Sequence, residues 1–286
     1  MELIKRELPK DYRLLVVSDL HVGSQLFKEH LFKSNVIQFM LDNPDTYCVL
    51  NGDLIEGITQ GDRRFNRKAI DKRFDSPQEE AEHVIGLLEP IKGRILGCCL
   101  GNHEITNTDT FDAVRMITRA LDIPYGGWLY KLIVTNNGKI AHKYLMCHGK
   151  WLFKSKAKDY EQKMGNIRAA MKDILLSLGH DDCIVSSCSH AHLILIVEPN
   201  IDKHISLTDN GNKIKQQKKT EVKQNASYID PNGRYFVCSG AYRGHLADPG
   251  SGAIDYAELF PPSALGHAMV IVKDGEVVKV EEVTAN

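Results

Sequence analysis

No stretch of this 286-residue chain approaches the ~18 consecutive apolar residues of a membrane span, so no transmembrane helix is expected. The first residues, Met-Glu-Leu-Ile-Lys-Arg-Glu, lack an apolar core of signal-peptide length. An excess of either charge is missing too, with 36 Lys and Arg against 37 Asp and Glu and a formal net charge of -1. This excludes a global pull toward nucleic acid or membrane, and leaves room only for local patches. The seven cysteines contain no Cys-x-x-Cys pair, are odd in number and lie mostly inside strand-like runs. Buried thiols in a reducing cytoplasm are expected rather than a disulfide framework, so the expected location is cytoplasmic. No internal repeat is present. With 43% hydrophobic and 26% charged residues, the composition is that of an ordinary globular protein of one large or two small domains.

Five short apolar runs end in the same way. Arg94-Ile-Leu-Gly-Cys-Cys-Leu-Gly101 stops at Asn102-His103-Glu104, and Leu14-Leu-Val-Val-Ser18 runs into Asp19-Leu20-His21. Tyr47-Cys-Val-Leu-Asn51 runs into Gly52-Asp53, Lys143-Tyr-Leu-Met-Cys147 into His148-Gly149, and Cys183-Ile-Val-Ser-Ser-Cys188 into Ser189-His190-Ala191-His192. Each run has the length of a buried strand rather than a helix. Open α/β sheets place their ligands at the carboxyl ends of strands. Five such endings therefore predict one site along one sheet edge.

Between these strands the periodicity predicts helices over His30–Leu41, from the Ser76-Pro77-Gln78-Glu79 cap to about Leu88, and over Thr110–Leu121. Residues 1–13 read as an edge strand or loop. After Pro124 the rhythm turns to hairpins: Trp128–Val134 and Ile140–Cys147 flank Asn136-Asn137-Gly138. Lys150–Gly165 reads as basic and irregular, and Asn166–Leu178 as a helix. Strands follow at Leu193–Val197, Arg234–Ser239, Ala268–Lys273 and Val277–Val283. The polar stretch 200–233 reads as an insertion or flexible hairpin. The expected fold class is α/β, a mixed sheet or two packed sheets with helices outside.

The strand-end residues Asp19, His21, Asp53, Asn102, His148, His190 and His192 are carboxylates, imidazoles and one amide. That mixture suits zinc, iron or manganese better than an all-oxygen calcium cage. It is too many donors for one tetrahedral ion that keeps a position open, and it fits two ions sharing a carboxylate. Two such ions can clamp a phosphoryl group and promote in-line displacement.

In this order, Asp-x-His, Gly-Asp, Gly-Asn-His-Glu, His and His-x-His resemble the motifs of the calcineurin-like metallophosphoesterases. The motifs span residues 19 to 192, and the last third of the chain carries no signature. The chain is expected to form a single domain over residues 1–286, with the polar insertion or hairpin around 200–233. The resemblance implies a four-layered α/β/β/α sandwich of two mixed sheets. Asp19, His21 and His192 would hold one ion, Asn102, His148 and His190 the other, and Asp53 would bridge them. His103 would be the general acid, a role that suits an imidazole facing an alkoxide leaving group, with Glu104 orienting it. Ser189 departs from the Gly that many members have before His-x-His, but it is still small. The metal expected is manganese, with iron, zinc, nickel and magnesium as alternatives.

Two arginines that phosphoprotein phosphatases of this type use to grip a monoester are missing from Gly52-Asp-Leu-Ile-Glu-Gly57 and Leu100-Gly-Asn-His-Glu104. Gly-Asp-Leu followed by a basic loop looks more like the double-strand-break-repair nucleases and related phosphodiesterases, including bacteriophage-encoded members. That loop holds Arg63, Arg64, Arg67, Lys68, Lys72 and Arg73 with Phe65 and Phe74 among them. It is either solvated surface or a backbone-and-stacking contact. Tyr242 and Arg243 in Gly240-Ala-Tyr-Arg-Gly-His245 are candidates to line the same mouth, against a purely structural loop. His30, His83, His142, His180, His204 and His267 sit in no motif. The favoured activity is hydrolysis of a phosphodiester in DNA or RNA, with no membrane partner. A small or cyclic nucleotide diester, a phosphomonoester and an inactive binding module are the alternatives.

Overall fold

The computed structural model describes residues 1–62, 65–105, 111–200, 204–209, 214–219, 224–225, 228–244 and 263–285. The chain opens with β1 (Glu2–Glu7) and β2 (Tyr12–Val17), then α1 (Glu29–Phe32), a π-helical stretch (Lys33–Gln38) and α2 (Phe39–Asp42). Next come β3 (Thr46–Leu50), α3 (Pro77–Leu88), β4 (Ile95–Cys98), the single turn α4 (Asn102–Ile105) and α5 (Ala113–Leu121). The hairpin β5 (Leu129–Asn136) and β6 (Lys139–Cys147) leads to α6 (Tyr160–Ser177), β7 (Val185–Cys188) and β8 (Ile194–Val197). Two small antiparallel pairs follow, β9 (His204–Asp209) with β10 (Ile214–Lys219) and β11 (Gln224–Asn225) with β12 (Tyr228–Ile229). β13 (Tyr235–Ser239), β14 (Gly266–Lys273) and β15 (Glu276–Thr284) complete the strands.

These strands form two mixed sheets, ordered β1-β5-β6-β7-β13-β8 and β15-β14-β2-β3-β4. β2, β3 and β4 run parallel in one sheet, as do β6, β7 and β13 in the other. Three apolar clusters separate the layers. One lies between the five-stranded sheet and helices α1, α2, α3 and α5, one between the sheets, and one between the six-stranded sheet and α6. The unbroken apolar run of β2 follows from this layering. Leu15 and Val17 enter the helix-side cluster while Leu14 and Val16 enter the inter-sheet cluster, so both faces are buried. The α/β architecture is therefore two mixed sheets packed face to face with helices outside.

Local signals place most boundaries. Ser76 Oγ accepts from Glu79 N–H at 3.3 Å and Pro77 occupies the first turn of α3, as the cap motif predicts. Asn137 and Gly138 have φ of 50° and 73°, the left-handed pair that a tight hairpin between β5 and β6 requires. Residues 1–13 supply both the edge strand β1 and the start of β2. One helix begins earlier than the periodicity suggests. α6 starts at Tyr160 because Asp159 caps it, its Oδ1 accepting from Gln162 N–H at 2.8 Å; Gly165, a weak helix former, hides that first turn in the sequence. All seven cysteines are free and buried. Among the described residues, no helix is long and apolar enough to cross a membrane.

Candidate metal centre

Each candidate ligand stands one to four residues past a strand's carboxyl end: Asp19 and His21 after β2, Asp53 after β3, Asn102 after β4, His148 after β6, His190 and His192 after β7. The two sheets thus present their ligands at a common edge. A buried polar seam fixes their relative position. Asn51 Nδ2 donates to Ser187 Oγ at 2.9 Å, Ser189 Oγ donates to the Asn51 carbonyl at 3.0 Å, and Ser18 and Ser239 share a 2.8 Å hydroxyl contact.

The candidate ligand atoms gather into two groups, Asp19–His21–His192 and Asp53–His148–His190, and a third cluster, His21–Glu56–His103, adjoins the first through His21. Asp19 Oδ1 lies 3.2 Å from His192 Nε2 and 3.7 Å from His21 Nε2. Asp53 Oδ2 lies 3.1 Å from His148 Nε2 and 3.8 Å from His21 Nε2, so one carboxylate oxygen reaches into both groups. Asn102 Oδ1 joins the second group 3.0 Å from His148 Nε2. Asp19, His21, Asp53 and His148 are buried, whereas Asn102, His190 and His192 are half-buried and form the open side.

The backbone is strained where the ligands sit. Asp19, His21, Asp53, His190 and His192 all have φ between 50° and 66°. Left-handed conformations of non-glycine residues cost of order 1–3 kcal/mol each and persist only where the surroundings over-determine them.

The donor chemistry fits divalent cations. Asp19 Oδ1, His21 Nε2 and His190 Nδ1 are buried without a hydrogen-bond partner among the described residues, though buried polar atoms are ordinarily satisfied. Burial alone would raise both carboxylates, but Asp19 and Asp53 are held below the usual range, chiefly by His148, with His192 and His21 also acting on Asp19 and His103 and His21 on Asp53. Burial works against charge on His21 and His148, yet neighbouring carboxylates lift them to about 9 and about 10. Burial, followed by the like charge of His148, lowers His190 to about 4, leaving a neutral imidazole of the kind that ligates metal.

Glu56 was not among the residues singled out from sequence. Its buried carboxylate accepts from His21 Nδ1 at 2.9 Å, which turns Nε2 toward Asp19 and Asp53. Burial would raise Glu56, but His103 and His21 bring it down to about 2. Its only sequence signal is a second carboxylate three residues beyond Asp53. We expect Glu56→Ala to weaken metal binding about 10–100-fold by calorimetric titration, and Glu56→Gln, which keeps an acceptor, to weaken it less. Unchanged affinity in the alanine variant would contradict this role. Asn51 does the same for His148, whose Nδ1 donates to the Asn51 carbonyl at 2.8 Å.

His103 sits at the rim, its ring 4.5 Å and edge-on from that of His21. Its N–H donates to Asp53 Oδ1 at 2.9 Å and its Nδ1 donates to the Glu56 carbonyl at 2.6 Å. Burial first, and the charge of His21, hold its pKa below the ordinary imidazole value. Among the described residues Glu104 makes no hydrogen bond to the His103 ring. The Glu104 carboxylate accepts from the N–H groups of Asp53, Leu54, Ile55 and Gly101 instead, tying the β3 and β4 turns together.

The substrate candidates fare unevenly. Arg63 and Arg64 lie outside the described residues, as does His245. Arg67 and Lys68 are exposed, on a loop whose Ala69 carbonyl and Asp71 N–H pair with Gln25 and Gly23, just past His21. Arg73 is held by Glu29 at 2.9 Å and Asp71 at 2.8 Å. Tyr242 does not line a mouth: it is fully buried, its hydroxyl 2.8 Å from His267 Nδ1 and its ring against Phe32. The glycines flanking it resemble a surface loop, but the aromatic ring is drawn into the core. Arg243 is buried too and lowers Glu56 by its charge.

A family model described as calcineurin-like phosphoesterase matches residues 12–215. The DNA polymerase II small subunit of Thermoplasma acidophilum is 28% identical over 92 residues, which is 31% of this chain and 18% of that protein's length. Among solved structures, a metallophosphoesterase from Sphaerobacter thermophilus is similar with a TM-score of 0.42 and 13% identity, over 96% of this chain and 89% of that one. A predicted phosphoesterase from Streptococcus pneumoniae gives a TM-score of 0.35 and 12% identity, over 96% and 98% of the two chains.

Proposed function

We infer, because the chain belongs to the calcineurin-like phosphoesterase family, that its strand-end centre hydrolyses a phosphodiester and that the substrate is nucleic acid. The observation that carries the hydrolytic reading is Asp53 Oδ2 standing between two groups of ligand atoms, 3.8 Å from His21 Nε2 and 3.1 Å from His148 Nε2. Asp19, His21 and His192 would hold one divalent cation, and Asn102, His148 and His190 the other, with Asp53 shared. Two cations held there would supply positive charge against the phosphoryl oxygens and make water a stronger nucleophile. Manganese is the first choice for reconstitution, because a mixed set of carboxylate, imidazole and amide donors accepts it readily. The nucleic-acid reading is supported by the exposed Arg67 and Lys68 beside the His21 turn, the missing monoester-gripping arginines, and the similarity to the DNA polymerase II small subunit of Thermoplasma acidophilum.

The remaining chemistry belongs to the chain. Glu56 and Asn51 fix the tautomers of His21 and His148, so both Nε2 atoms face the site. His103 is anchored through Nδ1 and its backbone N–H, so the Nε2 proton of its imidazolium form is the one it hands to the departing alkoxide. Burial makes it a stronger acid than free imidazole. His103→Ala is expected to lower turnover about 10²–10⁴-fold while metal content stays at the wild-type level. Metal loss matching that of a ligand variant would sink the general-acid role.

The deciding experiment incubates manganese-reconstituted protein with end-labelled single- and double-stranded DNA and RNA, with chelator and Asp53→Ala controls. Metal-dependent products support the reading. Intact oligonucleotides alongside turnover of bis-p-nitrophenyl phosphate would replace it with a small phosphodiester.

A further inference from the structure

The segment leaving His148 reads Gly149-Lys150-Trp151-Leu152-Phe153-Lys154-Ser155-Lys156-Ala157-Lys158. Lys150, Lys154, Lys156 and Lys158 are all exposed, and among the described residues none of them makes an ion pair. Arg73 on the other basic loop, by contrast, is already neutralised by Glu29 and Asp71. Four exposed lysines without an ion pair among the described residues, on one short segment, form a local basic patch in a chain whose net charge is only -1.

An indole stands beside that patch. Trp128 is 52% exposed, although burying a ring of this size is ordinarily favourable. The antiparallel register pairs Leu129 with Cys147, which brings Trp128 alongside His148. Leu100 N–H donates to the Gly127 carbonyl at 2.8 Å, so the backbone just before Trp128 adjoins the turn that delivers Asn102. Lys150 Nζ lies over the Trp128 ring, 5.4 Å from its centroid, a cation–π contact that sets a cation against the exposed indole. Leu152 and Tyr160 extend the exposed apolar surface along the lysine segment.

We propose that Trp128 and the lysines from Lys150 to Lys158 form a track for single-stranded nucleic acid leading into the metal centre. The inference rests on the nucleic-acid reading above and narrows it. An aromatic face with unpaired lysines next to it supplies what a single strand needs, a platform for a base and charge for the phosphates. A duplex keeps its bases inside the stack and offers nothing to the indole, so the substrate is a single strand, an unpaired end or a gap.

The test measures binding by the full chain, in chelator so that nothing is cut, to fluorescein-labelled dT15, U15 and a 15-bp duplex. The wild type should prefer a single strand over the duplex; preference for U15 over dT15 would support the track equally and identify RNA. Trp128→Ala should weaken binding about tenfold or more, the scale of one stacked base, and Trp128→Phe should keep most of it. Lys154→Ala with Lys156→Ala should reduce the slope of log K against log salt by roughly 1.4. In a Trp151→Phe background Trp128 is the sole tryptophan, and its fluorescence should be quenched by dT15. No single-strand binding by the wild type, equal affinity in Trp128→Ala, or a duplex bound as tightly would each overturn the track. If manganese-loaded wild type still cuts oligonucleotides in that case, the hydrolytic reading stands without the track. If the binding results hold but no oligonucleotide is cut, the track stands and the nuclease reading falls.

Discussion

Asp53→Ala is expected to abolish measurable turnover and to lower metal content at both positions together. The reason lies in how few atoms hold the two groups in one site. Asp53 Oδ2 is the carboxylate oxygen within 4 Å of both His21 Nε2 and His148 Nε2, while Oδ1 accepts the His103 N–H. Removing the side chain therefore takes charge from both groups and frees the turn that carries His103. Electrostatic stabilisation of a phosphoryl group by bound metal is worth several kcal/mol, and each 1.36 kcal/mol is tenfold in rate, so a loss of about a thousandfold or more follows. Metal analysis after reconstitution provides the internal comparison. His192→Ala, which touches only the Asp19 group, should cost one equivalent, and Asp53→Ala nearly two. One equivalent retained firmly by Asp53→Ala would show that its carboxylate serves a single ion.

The positions of the ligands were legible in sequence because strands buried on both faces read as unbroken apolar runs. A charged or amide residue directly after such a run then marks a strand end. Leu14 to Val17 and Cys147 with His148 show this plainly. What supports the ligands was not legible. Glu56 in sequence is one more acidic residue, and only the fold brings its carboxylate to His21 Nδ1. The positive φ of Asp19, His21, Asp53, His190 and His192 left no compositional trace either, since none of them is glycine. Tyr242 misled for the opposite reason. Its segment follows a strand, as the ligand turns do, which made it a candidate for the mouth, while its ring and hydroxyl are satisfied by Phe32 and His267 in the core. The indole of Trp128 went unnoticed as a surface feature because a strand-initiating aromatic is ordinarily read as core.

Glu104 makes its hydrogen bonds to backbone rather than to the His103 ring, and the second large effect is predicted there. Gly52 has a φ of +82°, and a Cβ on it would lie 2.5 Å from Gly101 N; a Cβ on Gly101 would lie 2.1 Å from Asp53 N. The β3 and β4 turns are thus packed backbone against backbone, with no room for a side chain between them. Four amide N–H groups in this packing find their acceptor in one carboxylate: Leu54 and Ile55 donate to Oε1, Asp53 and Gly101 to Oε2. Burial, and then the charge of Asp53, push the Glu104 pKa up to about 7 against the pull of those donors. Glu104→Gln is nearly isosteric, yet it should be almost as damaging as Glu104→Ala. Whichever way the amide is turned, its NH₂ faces two N–H donors that lose their acceptor. At about 1–3 kcal/mol for each buried unsatisfied group, the loss in stability should be about 3 kcal/mol or more by urea unfolding. Metal affinity should fall with it, because Asp53 N–H is one of the two donors to Oε2. A glutamine variant as stable as the wild type would mean that the two turns hold Asp53 by their own packing, with Glu104 merely filling the space beneath.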